Sequence, residues 1–250
     1  MPLTTIYLTY RFIRSLIMST IAQNLQDITT QIVATAQEKG RPPESVQLLA
    51  VSKTFGPEAV QAAVAVGQRA FGENYLQESL DKMRAVAALV PDVPLEWHFI
   101  GPIQSNKTRP IAEHFDWVHA VEREKIAQRL SEQRPAGMAP LNICLQVNIS
   151  GEASKSGVTP QELAALAHRV AALPNLKLRG LMAIPEPAAE FEQQRVPFAR
   201  LRQLFEQLRA EGLELDTLSM GMSADMRAAI VEGATIVRVG SAIFGARHYA

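Results

Sequence analysis

The stretch LLAVSKTFGP, residues 48–57, contains one complete passage from strand to helix. Leu48, Leu49, Ala50 and Val51 form the short apolar run expected of a strand buried on both faces. Lys53 closes that run, and Gly56-Pro57 sets a proline at the first position of a following helix. The same alternation recurs along the chain. Apolar or β-branched runs predict strands at 46–53, 69–75, 96–101, 116–121, 141–149, 176–184, 217–221 and 235–240. Between them lie segments with helical spacing. One covers 19–39 and stops at Gly40 before two prolines, and another opens on the capping box Thr159-Pro160-Gln161-Glu162. The longest covers 191–212, with Phe198, Leu201, Leu204, Phe205 and Leu208 on one face. Eight strands alternating with helices predict an α/β fold, a single (β/α)8 TIM barrel. A doubly wound open sheet is the alternative.

Bulk properties narrow the function classes. The 250 residues carry 25 basic and 25 acidic side chains, which is no footprint for nucleic acid. No stretch is long and apolar enough for a membrane span. The single cysteine, Cys144, sits inside the apolar run 141–149 and reads as a buried core thiol in a reducing compartment. The cytoplasm is the expected location. Residues 1–17 contain Arg11 and Arg14 but no acid and no A-x-A cleavage pattern. They read as an N-terminal extension outside the fold, with one domain over 18–250, since no linker composition marks a boundary.

A barrel gives Lys53 a definite place. Barrel active sites gather at the C-terminal ends of the strands, so a lysine closing the first strand points into the mouth. There its amine is either a nucleophile or a side chain reaching for water. TLSMGMSADMR (217–227) and VRVGSAIFG (237–245) follow the seventh and eighth predicted strands, where barrels often hold phosphate. Ser223 is placed to cap the helix beginning SADMRAAI, and Gly240 with Ser241 offers close backbone approach and a hydroxyl. An amine across the mouth from a phosphate cradle suits pyridoxal phosphate or a phosphorylated sugar aldehyde. Arg238, in the otherwise apolar TIVRVG, can only donate hydrogen bonds. Opposite a pyridine nitrogen it would keep that nitrogen unprotonated; otherwise it makes a salt bridge to a neighbouring strand.

LLAVSKTF, FGENYLQE, WHFIGPIQSNK, LRGLMAIP, LSMGMSADM and VRVGSAIFGARHY appear in that order between residues 46 and 249. Together they resemble the pyridoxal phosphate homeostasis protein family (YggS/PROSC type), which is similar to the N-terminal barrel of alanine racemase, the fold-type III arrangement. The resemblance implies a Schiff base between pyridoxal 5'-phosphate (PLP) and Lys53. It implies phosphate contacts from Ser223, Gly240 and Ser241, with the Met222 backbone beside them. It also sets Arg238 at the pyridine nitrogen, and Asn74 and His98 along the cofactor pocket.

For Asn74 and His98 the residues alone also allow a simpler role, satisfying backbone groups at the barrel rim. Lys107 and Lys155 fall on loops near the mouth as secondary lysines. The five histidines show no paired spacing for a metal. The racemase needs a second acid/base, a tyrosine from an additional C-terminal β domain, whereas this sequence stops at Ala250. A PLP-binding homeostasis protein with no catalytic residue and no firm turnover is therefore expected. It would act as a monomer, hand PLP to PLP-dependent apoenzymes, and influence amino-acid and keto-acid balance. A racemase-like PLP enzyme is the alternative, and a Schiff-base aldolase the third reading.

Overall fold

All eight predicted runs become strands in the computed structural model, which describes residues 3–151 and 156–246, with side chains from residue 19 onward. They are β1 (Gln47–Val51), β2 (Ala70–Glu73), β3 (Glu96–Phe99), β4 (Trp117–Val121), β5 (Leu141–Gln146), β6 (Leu176–Met182), β7 (Thr217–Ser219) and β8 (Ile236–Val239). Each pairs in parallel with the next, and β8 pairs with β1 from Gln47↔Ile236 to Ala50↔Val239, so the sheet closes into a barrel in strand order. The predicted runs overshoot the strands by one to three residues at their ends, because the chain leaves the ladder there to form the loops.

Helices fill the connections: α2 (Pro57–Ala65), α3 (Leu76–Leu89), α4 (Thr108–His114), α5 (Glu124–Gln133), α6 (Pro160–Ala171), α7 (Phe191–Ala210), α8 (Met226–Val231) and α9 (Ser241–Phe244) follow successive strands. The start signals act as read. Pro57 opens α2, and the Thr159 hydroxyl accepts from Glu162 N–H at 3.3 Å while donating to its carboxylate at 2.7 Å. Phe198, Leu201, Phe205 and Leu208 are the buried face of α7.

Preceding the barrel, α1 (Leu3–Glu38) is longer than the periodicity at 19–39 indicates. No proline or glycine interrupts residues 3–39, so nothing in the chain stops the helix earlier. Its buried stripe is Ile21, Leu25, Ile28, Ile32 and Ala36, spaced three or four apart, and it packs on α2, α8 and α9. Among the described residues no helix is long and apolar enough to cross a membrane.

Leu49, Ile143, Leu145, Leu181 and Val237 are fully buried strand residues. Each such side chain stabilises the fold by roughly 1.5–3 kcal/mol. The barrel is not wholly apolar, however. His98, His119 and Ser219 are fully buried, and Arg238 is 4% exposed. Buried polar groups of this kind must find one another, and they lead to the mouth.

Candidate functional site

Lys53 lies two residues beyond the end of β1 and is half-buried. The chain reverses at once behind it. Phe55 N–H donates to Ser52 O at 3.0 Å, and Thr54 adopts φ 69, the left-handed region, with its N–H on Glu78 Oε1 at 2.7 Å. For a β-branched residue this conformation stores about 1–3 kcal/mol, which the surrounding contacts must offset.

The cradle segment after β8 sits beside the strand that carries Lys53 rather than across from it, because closure makes β8 the neighbour of β1. Gly240 follows β8 so closely against β1 that a Cβ there would lie 3.0 Å from Val51 O. Farther on, the Phe244 ring of α9 meets Phe55 at 5.2 Å, joining the two loops. Ser223 does not cap α8. Asp225 takes that position, and its Oδ1 accepts Met222 N–H at 2.6 Å, forming a turn that delays the helix to Met226. Ser223 is left exposed in this turn, its Oγ 3.4 Å from Ser241 Oγ. The two hydroxyls thus form an outward-facing pair, while the Met222 amide proton is already committed.

Arg238 makes no salt bridge within the described residues. Its Nη1 donates to Ser219 O (2.5 Å) and Ser219 Oγ (2.8 Å), and its Nη2 to Ala183 O (2.9 Å). Burial lowers its pKa to about 10, which leaves the guanidinium charged at neutral pH. From Ser219 a chain of hydrogen bonds crosses the barrel interior. His119 Nδ1 is 2.7 Å from Ser219 Oγ, His119 Nε2 is 2.8 Å from His98 Nδ1, and His98 Nε2 is 2.7 Å from Glu96 Oε1.

The proton on each link follows by elimination. Burial pushes His119 well below 6.5 and lowers His98 despite the opposing pull of Glu96, so both imidazoles are neutral at neutral pH. The Glu96 carboxylate can only accept, so His98 donates to it from Nε2 and accepts at Nδ1 from His119 Nε2. His119 Nδ1 then accepts, and the Ser219 hydroxyl donates to it. The hydrogen bond from His98 holds Glu96 down at about 2.

His98 accordingly sits inside the barrel with both nitrogens engaged and its ring stacked on Trp117 at 5.3 Å. It reaches Arg238 only through His119 and Ser219. Asn74, following β2, is different: its Oδ1 is a buried oxygen without a hydrogen-bond partner within the described residues. Asn74 is pressed against Gly101, where a Cβ would fall 2.4 Å from Asn74 O. Lys107 is exposed at the start of α4, and Lys155 lies outside the described residues.

Sequence reasoning missed His119 and Ser219, although the signal was present. A histidine in the strand WVHAV and a serine in TLS are polar side chains in fully buried runs. The arrangement offers an amine, two hydroxyls, an unmet amide oxygen and a guanidinium held in one orientation. Such a set suits a small anionic carbonyl compound with a ring acceptor.

Comparisons with known proteins agree with this geometry. The description "Alanine racemase, N-terminal domain" matches residues 23–248. A pyridoxal phosphate homeostasis protein of Pseudomonas aeruginosa is 65% identical over 232 residues, covering 93% of this chain and 98% of that protein. The Escherichia coli K12 protein of the same name is 53% identical, covering 93% and 99%. The solved structure of PipY from Synechococcus elongatus PCC7942, with PLP bound, superposes with a TM-score of 0.77 at 37% identity, covering 90% of this chain and all of that one. With identities this high over nearly all of both chains, the protein belongs to the pyridoxal phosphate homeostasis protein family and carries the alanine racemase N-terminal domain.

Proposed function

We propose that this protein binds PLP as a Schiff base on Lys53 and serves vitamin B6 homeostasis, holding the cofactor rather than turning over a substrate. When bound, PLP supplies an aldehyde that condenses with an amine to a C=N bond, releasing water. The observation that carries the reading is the juxtaposition at one barrel mouth of Lys53, the Ser223/Ser241 hydroxyl pair 3.4 Å apart and the charged Arg238. Asn74 Oδ1, which has no hydrogen-bond partner among the described residues, gives the ring hydroxyl an acceptor. Gly240 lets the phosphate approach the backbone, with Met222 beside it. His98 contributes from behind, through the chain that orients Arg238. The PLP-bound relative supports the cofactor assignment.

On this reading the chain acts as a cytoplasmic monomer that delivers PLP to PLP-dependent apoenzymes, the fold begins near Met18, and residues 1–17 lie outside it. Borohydride reduction of the protein with PLP, followed by peptide mapping, tests the assignment. A pyridoxyl group on the peptide bearing Lys53 is expected, and one carried only on Lys107 or Lys155 contradicts it. The matched racemase domain favours a racemase-like enzyme as the second reading. Racemisation by the purified protein that disappears in Lys53→Ala would establish that instead.

A further inference from the structure

Lys82, on α3, is one of the most deeply buried charges among the described residues, at 4% exposure. Its Nζ donates to Ser52 O at 2.7 Å, to Glu73 Oε1 at 2.7 Å and to Glu78 Oε1 at 3.0 Å. All three protons of the ammonium are thereby used. Ser52 Oγ donates to the same Glu73 oxygen at 2.6 Å, and Glu78 Oε1 takes the Thr54 amide proton at 2.7 Å. Ser52 and Thr54 are the two neighbours of Lys53. One ammonium therefore fastens the peptide group before Lys53 directly and the one after it through Glu78. Glu73 immediately precedes Asn74, so the same cluster anchors a second residue of the mouth.

A purely structural ion pair has no need of this arrangement. Burying a lysine and a glutamate costs several kcal/mol in desolvation, and an apolar pair of equal volume often serves stability as well. The distribution of contacts is informative: every partner of Lys82 belongs to, or is bonded to, the turn that carries Lys53 or the strand end that carries Asn74. The turn also needs holding, since Thr54 sits at φ 69.

We propose that Lys82 is a positioning residue for the Lys53 amine, fixing through Ser52, Glu73 and Glu78 the turn from which that amine enters the mouth. The inference rests on Lys53 being the PLP-binding lysine. Holding the turn in advance removes an ordering cost that would otherwise be met when PLP binds.

The test compares wild type, Lys53→Ala, the double variant Glu73→Gln/Lys82→Met and Glu78→Ala. The double variant removes both buried charges together, and the Glu78 carboxylate it leaves unpaired is partly exposed to water. Three quantities are read: PLP dissociation rate, the borohydride adduct site, and hydrogen exchange at the Thr54 amide in the apo protein. The double variant should melt near wild type, release PLP about tenfold faster, the scale of one charge-assisted hydrogen bond, and exchange Thr54 faster. Glu78→Ala, which leaves the Lys82–Glu73 pair intact, should reproduce the faster Thr54 exchange and loosen PLP, even if the double variant does not fold. Wild-type PLP retention in Glu78→Ala, or in a folded double variant, overturns the proposal while leaving Lys53 in place. A wild-type adduct away from Lys53 overturns instead the reading on which it rests.

Discussion

His119 Nδ1 and Ser219 Oγ stand 2.7 Å apart although they belong to β4 and β7, strands that are not neighbours in the barrel. The bond therefore spans the interior, and the acceptor-only Glu96 carboxylate at the far end of the chain sets the direction of each proton along it. It follows that His98 and His119 both carry their proton on Nε2. Nitrogen NMR of the imidazoles should show that tautomer for each at neutral pH, with protonation of either ring setting in only below the ordinary histidine value of 6.5. A midpoint at or above 6.5 for either ring would contradict the assignment.

The same neutrality sets an acid dependence of stability. Unfolded, both histidines take up protons below their ordinary value of 6.5, whereas the fold holds them neutral. The unfolded state then binds more protons, and their contribution shrinks as pH falls from about 6.5, by up to about 1.4 kcal/mol per histidine per pH unit. Glu96 acts lower still: its contribution is present above 4.5 and is lost as pH falls through about 2. Urea midpoints at pH 8, 6 and 5 should therefore decline. Replacing His119 by an apolar residue should flatten that decline, and an identical slope in the variant would count against the account.

Ser219→Ala removes the link between Arg238 and His119 but leaves the backbone acceptor of Arg238 in place. Leaving His119 Nδ1 without its donor should cost about 1–3 kcal/mol, visible as a lower melting temperature of the apo protein. PLP retention should also weaken, because the guanidinium loses one of its three restraints. Full retention in a destabilised variant would separate the chain from the cofactor contact.

Ser223→Ala makes the opposite separation. The serine is exposed and does not cap α8, so its loss should leave melting unchanged within about 0.5 kcal/mol. Cofactor retention should fall, and inorganic phosphate should compete less well for the apo protein. Unchanged competition would remove Ser223 from the phosphate contacts.

Cys144 is fully buried, and burial raises its thiol to about 12. With almost no thiolate at neutral pH, it should resist thiol reagents in the folded protein and react only on unfolding. Stoichiometric labelling of the native protein would refute this.

The barrel was legible because strand and helix periods alternate cleanly and are punctuated by local signals such as Gly56-Pro57 and Thr159. Lys53, Arg238, Gly240 and Ser241 could be proposed from the chain alone because a barrel assigns meaning to the residues at and beyond a strand's end. Ser223 does not cap the helix because the Asp225 carboxylate turns back to accept the Met222 amide, and the resulting turn delays the helix to Met226. The buried partners were harder to find, since each owes its role to residues distant in sequence. Lys82 sits three residues after Ser79 and four before Val86, on the buried face of α3, and only the fold supplies the carboxylate that allows a lysine there. His119 likewise depends on a serine 100 positions away.

The seam between β1 and β8 also has a consequence for biosynthesis. Residues 47–50 pair with 236–239, and Asn24 of α1 donates to Ile243 O at 2.8 Å, so an early and a late segment of the chain complete each other. Until the eighth strand emerges, β1 waits as an open edge, and the lysine at its end has no neighbour from the other terminus. A nascent or truncated chain without β8 therefore lacks the β1–β8 seam beside the proposed cofactor site, and PLP should stabilise only chains in which the eighth strand has joined.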